Sequence, residues 1–253
     1  MSEKLKKQLI QLSHELGREE RALAILGEGN TSVKLENGNF LVKASGSCLG
    51  TLSDDGITEC NVSNILDLFN QSELSDLEVD KALLDSRVVA ESKKPSVEAT
   101  FHGYLLSLPG VKFVGHTHPI HVNKLLCSGN GRDFAERRIF PDQIVCCGAE
   151  SVFVPYVDPG LELAKAIKEQ VEFFIGRTSR APVTILIENH GLICIGKTWQ
   201  GVLAASLMAN KSAEILAGAL ACGNGSANYL ANDQVDRIAG RPDEHYRQKV
   251  LNL

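Results

Sequence analysis

Two histidines separated by one residue, His116 and His118, close an apolar segment that stops at Pro119. If this segment is a β-strand, side chains at positions i and i+2 project from the same face, so both imidazoles can reach one ion. Imidazole nitrogens are common Zn²⁺ ligands, and a catalytic zinc site keeps one position open for substrate. The spacing therefore indicates a metal site, with two ordinary polar histidines as the alternative.

A third histidine, His190, follows the β-branched segment 183–187 and precedes Gly191. A histidine at the end of a strand, followed by a glycine that permits a sharp turn, can point inward as a ligand. We therefore predict that His190 joins His116 and His118 in one metal-binding group. The alternative is an ordinary loop histidine.

A carboxylate, Glu98, lies near the start of a helix that the sequence predicts from Ser96 to about residue 108. The helix dipole favours a negative charge in the first turn, so Glu98 can be purely structural. Beside a metal, the same carboxylate can act as a general base. His102, further along this helix, has no comparable context and receives no role.

Two loops rich in small residues, 27–30 and 44–47, flank a predicted hairpin of strands 31–35 and 39–44. An Asn-Gly pair such as Asn37-Gly38 is typical of a two-residue type I′ turn, and with that turn Asn30 faces Ser45. Backbone N–H groups of both loops, together with the start of the Ser96 helix, can then form one anion-binding site.

The remaining pattern predicts mixed α and β structure. Apolar residues at helical spacing mark helices, and Thr198 can cap a long one that ends near residue 221. The other predicted elements are helices over 5–16 and 161–175 and strands over 111–118, 183–187 and 192–195. Hairpins beside helices favour a largely antiparallel sheet flanked by helices. Since nothing resembles a linker, we predict one domain over 1–253, with 222–253 as a loop and C-terminal tail.

Composition limits the class of protein. The chain of 253 residues is 43% hydrophobic and 23% charged with a net charge of −5, which argues against a disordered chain and against a nucleic-acid binder. No apolar run reaches the ~18 residues of a membrane span, and we read no signal peptide at the N-terminus. The seven scattered cysteines form no CxxC pair, so we expect reduced thiols and a cytoplasmic location.

Taken together, the motifs resemble the class II aldolase/adducin family, which includes L-fuculose-phosphate aldolase, L-rhamnulose-phosphate aldolase and L-ribulose-5-phosphate 4-epimerase. The resemblance covers roughly residues 5–220. The motifs are Gly29-Asn30-x-Ser32, Ser45-Gly46, Pro95-Ser96-x-Glu98, His116-x-His118-Pro119 and Asn189-His190-Gly191.

The resemblance implies a single three-layer α/β/α domain with a mainly antiparallel central sheet. It also implies a homotetramer with active sites between subunits. It implies that Zn²⁺, or another divalent ion such as Mn²⁺ or Co²⁺, is held by His116, His118 and His190. Glu98 matches the acid/base carboxylate of the family. The matching substrate-binding residues are Gly29, Asn30, Ser45, Gly46 and Ser96.

The chain departs from the family pattern in two places. Ser96-Val97-Glu98 stands where the sugar-phosphate aldolases usually carry Ser-Ser-Glu, so one hydroxyl donor is missing. Lys43-Ala44-Ser45-Gly46 replaces the usual Thr-Pro-Thr/Ser-Gly. Because of both changes, the sequence does not identify which anionic group the substrate carries.

We predict a class II aldolase that cleaves a small ketose phosphate to dihydroxyacetone phosphate and an aldehyde. A second acid/base is needed at the aldehyde hydroxyl, and the family often takes it from a neighbouring subunit. Asp142 and Tyr246 are the candidates by position, with a surface aspartate and a packed tail tyrosine as alternatives. The rival functions are a family epimerase, dehydratase or decarboxylase on a sugar or sugar-acid phosphate, and a non-catalytic adducin-like interaction module.

Overall fold

The central sheet is built from seven strands in a computed structural model that describes residues 2–71 and 74–252. The strands are β1 (Asn30–Lys34), β2 (Asn39–Lys43), β3 (Ile57–Asn61), β4 (Phe113–Thr117), β5 (Val152–Val154), β6 (Thr184–Ile187) and β7 (Gly191–Gly196). Their order is β3-β2-β1-β4-β7-β6-β5, and only the β5–β6 pair is parallel. The predicted, mainly antiparallel sheet is confirmed.

Helices cover both faces of this sheet. Within the described ranges they are α1 (Ser2–Leu16), α2 (Val62–Asp67), α3 (Asp76–Asp85), α4 (Ala99–Ser107), α5 (Ile120–Leu126), α6 (Gly131–Glu136), α7 (Pro141–Cys147), α8 (Leu161–Thr178), α9 (Trp199–Cys222), α10 (Asn232–Ala239) and α11 (Pro242–Leu251). One core contains residues of α2, α3, α4 and α8, and the other contains residues of α1, α5, α6, α7 and α9. This is the predicted three-layer arrangement.

Strand β7 shows why both faces need a cover. Ile193 and Ile195 belong to the core on one side, whereas Leu192 and Cys194 belong to the core on the other. Because successive side chains of a strand point to opposite faces, a continuous apolar run can bury itself only between two layers of helices. The site described below lies where β4 and the β6–β7 turn meet at one edge of these layers.

The β1–β2 hairpin has a longer turn than the sequence predicted. Leu35 N–H donates to Asn39 O at 2.8 Å, so three residues, 36–38, form the loop, with Gly38 at φ +85°. Asn37 contributes by accepting the Asn39 N–H at 3.0 Å with its side chain. The prediction of a two-residue turn is therefore wrong.

The longer turn shifts the register of the hairpin by one residue. Ser32 pairs with Val42, and the same register places Asn30 opposite Ala44, so the predicted pairing of Asn30 with Ser45 is wrong. A shift of one residue turns a side chain to the other face of the sheet. On its other side, Asn30 pairs with His116 of β4.

The helix predicted from Ser96 begins three residues later, at Ala99. Residues before it form a turn in which Ala99 N–H donates to Ser96 O at 2.9 Å and Glu98 N–H approaches Ser96 Oγ at 3.4 Å. Glu98 therefore stands at the N-cap position rather than inside the first turn. Its side chain is free to point away from the helix.

The segment after α9 contains helices α10 and α11, where the sequence predicted a loop and a tail. Gln248 Nε2 donates to Val145 O at 2.8 Å, which fixes α11 against α7. No residue of α11 is buried, so the segment lacks the apolar stripe that predicts a helix. No helix in the described part of the chain is long and apolar enough to cross a membrane.

Candidate metal and acid–base site

Strand pairing brings the three predicted metal ligands together. His116 lies within β4, His118 follows the end of that strand, and Thr117 pairs with Leu192 of β7. His190 lies in the short turn that joins β6 to β7, next to the same strand end. Residues that are 70 or more positions apart in the sequence therefore become neighbours at one edge of the sheet.

Gly191 makes this approach possible. A Cβ atom at residue 191 would lie 2.6 Å from Thr117 O and 2.8 Å from His118 Cδ2. Both distances are far below a normal contact, so any larger residue would push β7 away from β4. The glycine that the sequence suggested as a turn former is thus needed for close packing of two strands.

The three imidazoles face one another. Their ligand nitrogens lie within 4.8 Å of one another, and the Nε2 atoms of His116 and His118 are 3.0 Å apart. His116 is fully buried, and the side chains of His190 and His118 are 9% and 24% exposed. The group is therefore open to solvent mainly on the His118 side.

A hydrogen bond behind the His116 ring fixes its orientation, and burial keeps His118 neutral. His116 Nδ1 lies 3.1 Å from Leu192 O, and a carbonyl can only accept, so Nδ1 carries a proton and Nε2 is the nitrogen that faces His118. Burial, followed by the charges of His116 and His190, lowers the pKa of His118 to about 3, so His118 is neutral. A neutral imidazole is the form that binds metal.

Glu98 completes the group. Its Oε1 lies 3.4 Å from His116 Nε2 and 3.3 Å from His190 Nε2. Burial alone would raise the pKa of Glu98, but the charge of His116 and hydrogen bonds from His116, His190 and Asn30 outweigh it and hold the pKa well below its usual value. The carboxylate is therefore ionised and able to accept a proton.

The donor set fits a divalent cation. His116 Nε2 and His118 Nε2, which lie 3.0 Å apart, and the Glu98 carboxylate all converge on one small volume. When neutral imidazoles present lone pairs here, acceptor atoms at such distances repel one another unless a proton or a cation lies among them. Three imidazoles with a carboxylate at their edge are also the ligand types of catalytic zinc sites.

Sequence reasoning gave no role to His102. In the structure, this residue holds the side chain of Asn30, which in turn binds the second carboxylate oxygen of Glu98. Asn30 Nδ2 donates to Glu98 Oε2 at 2.5 Å, and Asn30 Oδ1 accepts a hydrogen bond from His102 Nε2. Ser32 Oγ lies 2.6 Å from His102 Nδ1. Burial lowers the pKa of His102 to about 3, so the ring is neutral and donates through one nitrogen only.

This chain of hydrogen bonds fixes the direction of the Asn30 amide. Its oxygen faces the His102 N–H, so its NH₂ group must face Glu98. The sequence does contain a signal that His102 lies near Glu98, because His102 follows Glu98 by four residues and such residues share a helix face. Asn30, predicted to bind substrate, has its side chain engaged with Glu98 and His102; a direct contact with substrate stays a prediction.

The other predicted substrate-binding residues surround this group to different degrees. Gly29 is buried with φ +67°, and a Cβ there would lie 2.5 Å from His116 O, so it too is needed for close packing. Ser45 and Gly46 are exposed on the loop after β2, where Ser45 N–H donates to Lys94 O at 2.9 Å. Ser96 is half-buried before α4. Their role in substrate binding stays a prediction.

Of the two candidates for the second acid/base, one is paired with another residue of its own chain and the other is exposed. Asp142, at the start of α7, forms an ion pair with Arg247 at 2.8 Å. Tyr246 is 71% exposed on α11. Within the described residues neither forms an ion pair or a hydrogen bond with the histidine group, so their catalytic role stays a prediction that depends on a neighbouring subunit.

Most of this chain matches known proteins in sequence. Residues 7–217 match the family model of the Class II Aldolase and Adducin N-terminal domain. The chain is 30% identical over 199 residues to the uncharacterized oxidoreductase YuxG of Bacillus subtilis, in an alignment that covers 76% of this chain and 26% of YuxG. It therefore spans about a quarter of that relative's length.

A second relative is matched over most of its length. The chain is 28% identical over 190 residues to 3-oxo-tetronate 4-phosphate decarboxylase of Haemophilus influenzae, covering 74% of this chain and 76% of the decarboxylase. Among solved structures, an L-fuculose 1-phosphate aldolase superposes with a TM-score of 0.70 at 18% identity, with 98% of each chain covered. At that identity the likeness shows the fold alone.

Proposed function

Because the chain belongs to the class II aldolase and adducin family, we propose that it is a divalent-metal-dependent aldolase. Its substrate in this proposal is a small ketose phosphate, and its products are dihydroxyacetone phosphate and an aldehyde. The observation that carries the proposal is the convergence of His116, His118 and His190 on the ionised carboxylate of Glu98. A non-catalytic module has no need of such a group.

The three histidines would hold the ion, which we take to be Zn²⁺, Mn²⁺ or Co²⁺. When bound, a divalent ion supplies Lewis-acid stabilisation of negative charge on an oxygen beside the breaking C–C bond. Glu98 moves the proton at the carbon that bears this charge. The Asn30–His102 pair keeps Glu98 Oε2 occupied, so Oε1 is the oxygen that faces the reacting atoms.

The loop residues supply the other end of the site in this proposal. Ser45, Gly46 and Ser96 offer hydroxyl and backbone donors for the substrate phosphate. Gly29 and Asn30 lie between these donors and the histidine group, because Asn30 pairs with His116. A phosphate can use several N–H and O–H donors at once.

Decarboxylation is the second candidate reaction. It is favoured by the similarity to the Haemophilus decarboxylase, which extends over three quarters of both chains. Loss of CO₂ from a 3-oxo acid also leaves negative charge beside a carbonyl, so the same residues can serve either reaction. Epimerisation and dehydration at this group have no specific observation in their favour.

A substrate panel separates the two reactions. Purified protein loaded with Zn²⁺, Mn²⁺ or Co²⁺ is incubated with ketose 1-phosphates and with phosphorylated 3-oxo acids. We expect dihydroxyacetone phosphate together with an aldehyde from a ketose phosphate. Release of CO₂ without aldehyde would replace the aldolase by the decarboxylase, and turnover that persists after removal of the metal would contradict both.

We further propose a homotetramer in the cytoplasm, with Asp142 or Tyr246 of one subunit acting at the histidine group of another. Similarity to the class II aldolase and adducin family supports this arrangement, and the exposure of Tyr246 leaves its side chain accessible to another subunit. The free state of all seven cysteines agrees with a reducing compartment. Light scattering that shows a fully active monomer would contradict the shared site.

A further inference from the structure

The loop over residues 22–28, which precedes β1, is fastened to the chain segment that carries His118. His118 N–H donates to Leu23 O at 2.9 Å, and Ile120 N–H donates to Ala22 O at 3.2 Å. The side chain of Leu23 is fully buried, so the loop is anchored in the core as well as to this backbone. The loop therefore has a fixed position beside the most exposed of the three histidines.

Glu28, at the end of this loop, turns its carboxylate toward the back of the His118 ring. Its Oε2 accepts a hydrogen bond from the Ile25 N–H at 3.0 Å, so the loop itself holds one of the two oxygens. Its Oε1 lies 3.8 Å from His118 Nδ1, whereas the Nε2 of this ring faces His116. Because the donor and acceptor of an N–H···O bond are about 2.9 Å apart, a shift of about 1 Å brings the carboxylate to hydrogen-bond distance.

The three imidazole rings differ in what lies behind them, at the nitrogen that points away from the group. His116 Nδ1 lies 3.1 Å from Leu192 O, and His190 Nδ1 is buried with no hydrogen-bond partner among the described residues. His118 has the carboxylate of Glu28 at this position. Histidines that bind a metal ion commonly donate their second N–H to a carboxylate or a carbonyl, which fixes the ring and makes it a better ligand. Glu28 therefore lies where such a partner is needed.

We propose that Glu28 is a positioning residue of the metal site, which accepts a hydrogen bond from His118 Nδ1 when His118 Nε2 binds the ion. The inference rests on the proposed function in one respect, that the histidine group holds a divalent cation. An imidazole that binds through Nε2 keeps its proton on Nδ1, so metal loading makes Nδ1 a donor that faces Glu28. A hydrogen bond to a carboxylate is shorter and stronger than one between neutral groups. Glu28 thus holds the ligand that is most exposed to solvent.

A purely structural role of Glu28 makes a different prediction. In that case Glu28 serves only to close its loop through the Ile25 N–H, and Glu28→Gln keeps this bond because an amide oxygen also accepts. A carboxylate has two acceptor oxygens, whereas an amide has one. If both contacts matter, the variant satisfies Ile25 and faces His118 Nδ1–H with its NH₂ group, so that donor meets donor and metal binding is opposed.

The experiment is a calorimetric titration of Zn²⁺ into chelator-stripped wild type, Glu28→Gln and the control Glu36→Gln. Glu36 is exposed in the β1–β2 loop, at the opposite end of β1 from Asn30, so the control removes one negative charge far from the histidines. Loss of the partner behind a ligating histidine weakens metal binding by about 10- to 100-fold, and we expect this loss for Glu28→Gln. Glu36→Gln should bind Zn²⁺ as wild type does.

Nuclear magnetic resonance of ¹⁵N-labelled histidine gives a readout that loop closure alone does not change. In zinc-loaded wild type and Glu36→Gln, the His118 Nδ1–H proton should give a downfield resonance that exchanges slowly with water. In Glu28→Gln this resonance should be lost. If Glu28→Gln does not fold, the resonance in wild type and its Overhauser contact to the Glu28 side chain decide the question.

Equal Zn²⁺ affinity in wild type and Glu28→Gln would overturn the inference, and so would a His118 Nδ1–H that exchanges freely with water in the zinc-loaded protein. Failure of wild type to bind Zn²⁺ would overturn it together with the proposed function. Weaker binding by Glu28→Gln in a protein without aldolase or decarboxylase turnover would support the positioning role and contradict the proposed reaction alone. Neither measurement requires turnover, so the two failures are told apart.

Discussion

The histidine group and the small-residue loops are two ends of one candidate site, and they are built in different ways. His116 is fully buried on a central strand and tied to Leu192, whereas Ser45 and Gly46 are exposed on a loop. Side chains fixed by strands and by the core behind them keep their geometry, while loops tolerate change. The reactive end should therefore be common to relatives with different substrates, and the loop end should decide which substrate is taken.

The largest effect that we expect comes from breaking the histidine end. His118→Ala removes one of three ligands, so the purified protein should lose most of its bound divalent ion and its turnover. Elemental analysis with an assay of the same sample measures both, and His121→Ala, which removes a partly buried histidine outside the group, serves as the matched control. Equal metal content in His118→Ala and wild type would remove His118 from the ligand set.

The next effect concerns the acid/base residue alone. Glu98→Gln keeps shape and removes proton acceptance, so turnover should fall by about 10²–10⁴-fold at unchanged metal content. The assay is steady-state kinetics with metal quantification, and the thermal melt should stay within a few degrees of wild type. A variant with near-normal turnover would reduce Glu98 to a charge at a helix terminus.

Asn30 tests where the boundary between the two ends lies. Its amide serves Glu98, so Asn30→Ala should lower kcat by about tenfold, the value of one hydrogen bond to a charged group, and should leave KM near wild type. Kinetics that show the reverse, a raised KM at normal kcat, would move Asn30 to the loop end. In that case the residue binds substrate directly, as the sequence motif suggested.

Ser45 should show the opposite split. Ser45→Ala removes one donor from an exposed loop, so KM for a phosphorylated substrate should rise by roughly several-fold with kcat unchanged. The same variant should act normally on an unphosphorylated analogue, which serves as its internal control. A preference of wild type for the unphosphorylated compound would favour a sugar-acid substrate instead.

The remaining effect is on stability across pH rather than on activity, and it follows from His102. Its pKa is about 3 in the folded protein and near its ordinary value of 6.5 when unfolded, so the unfolded chain binds more protons between these pH values. Stability due to His102 is complete above pH ~6.5 and falls by at most about 1.4 kcal/mol per pH unit as pH decreases toward ~3. Urea unfolding of wild type and His102→Gln across pH 7 to 4 should show a shallower slope in the variant, and parallel slopes would contradict a buried neutral ring.

The parts of the site that follow from local rules could be predicted from the sequence. The i, i+2 spacing of His116 and His118 and the turn position of His190 depend only on strand periodicity and on Gly191, and the structure brings these residues together. The Asn30–His102 bond depends instead on how α4 packs against β1, which no local pattern specifies.

Two errors have equally physical causes. The hairpin has a three-residue loop in which the Asn39 N–H donates to the Asn37 side chain, and this bond favours that loop over the two-residue turn that Asn37-Gly38 suggested. Helix α11 was missed because it has no buried residue; its contacts to α7, such as Gln248 with Val145, are polar. Hydrophobic periodicity cannot report an element that is held by polar groups.

The histidine group is sensitive to substitution at Gly191, a residue that is not itself a ligand. A single methyl group at this position would collide with Thr117 O and with the ring of His118 while all three histidines remain in the gene. A lineage descended from this chain would thus lose the proposed metal site through a substitution at a glycine. The three histidines retained in such a descendant would then indicate common descent with this chain but would not indicate metal binding.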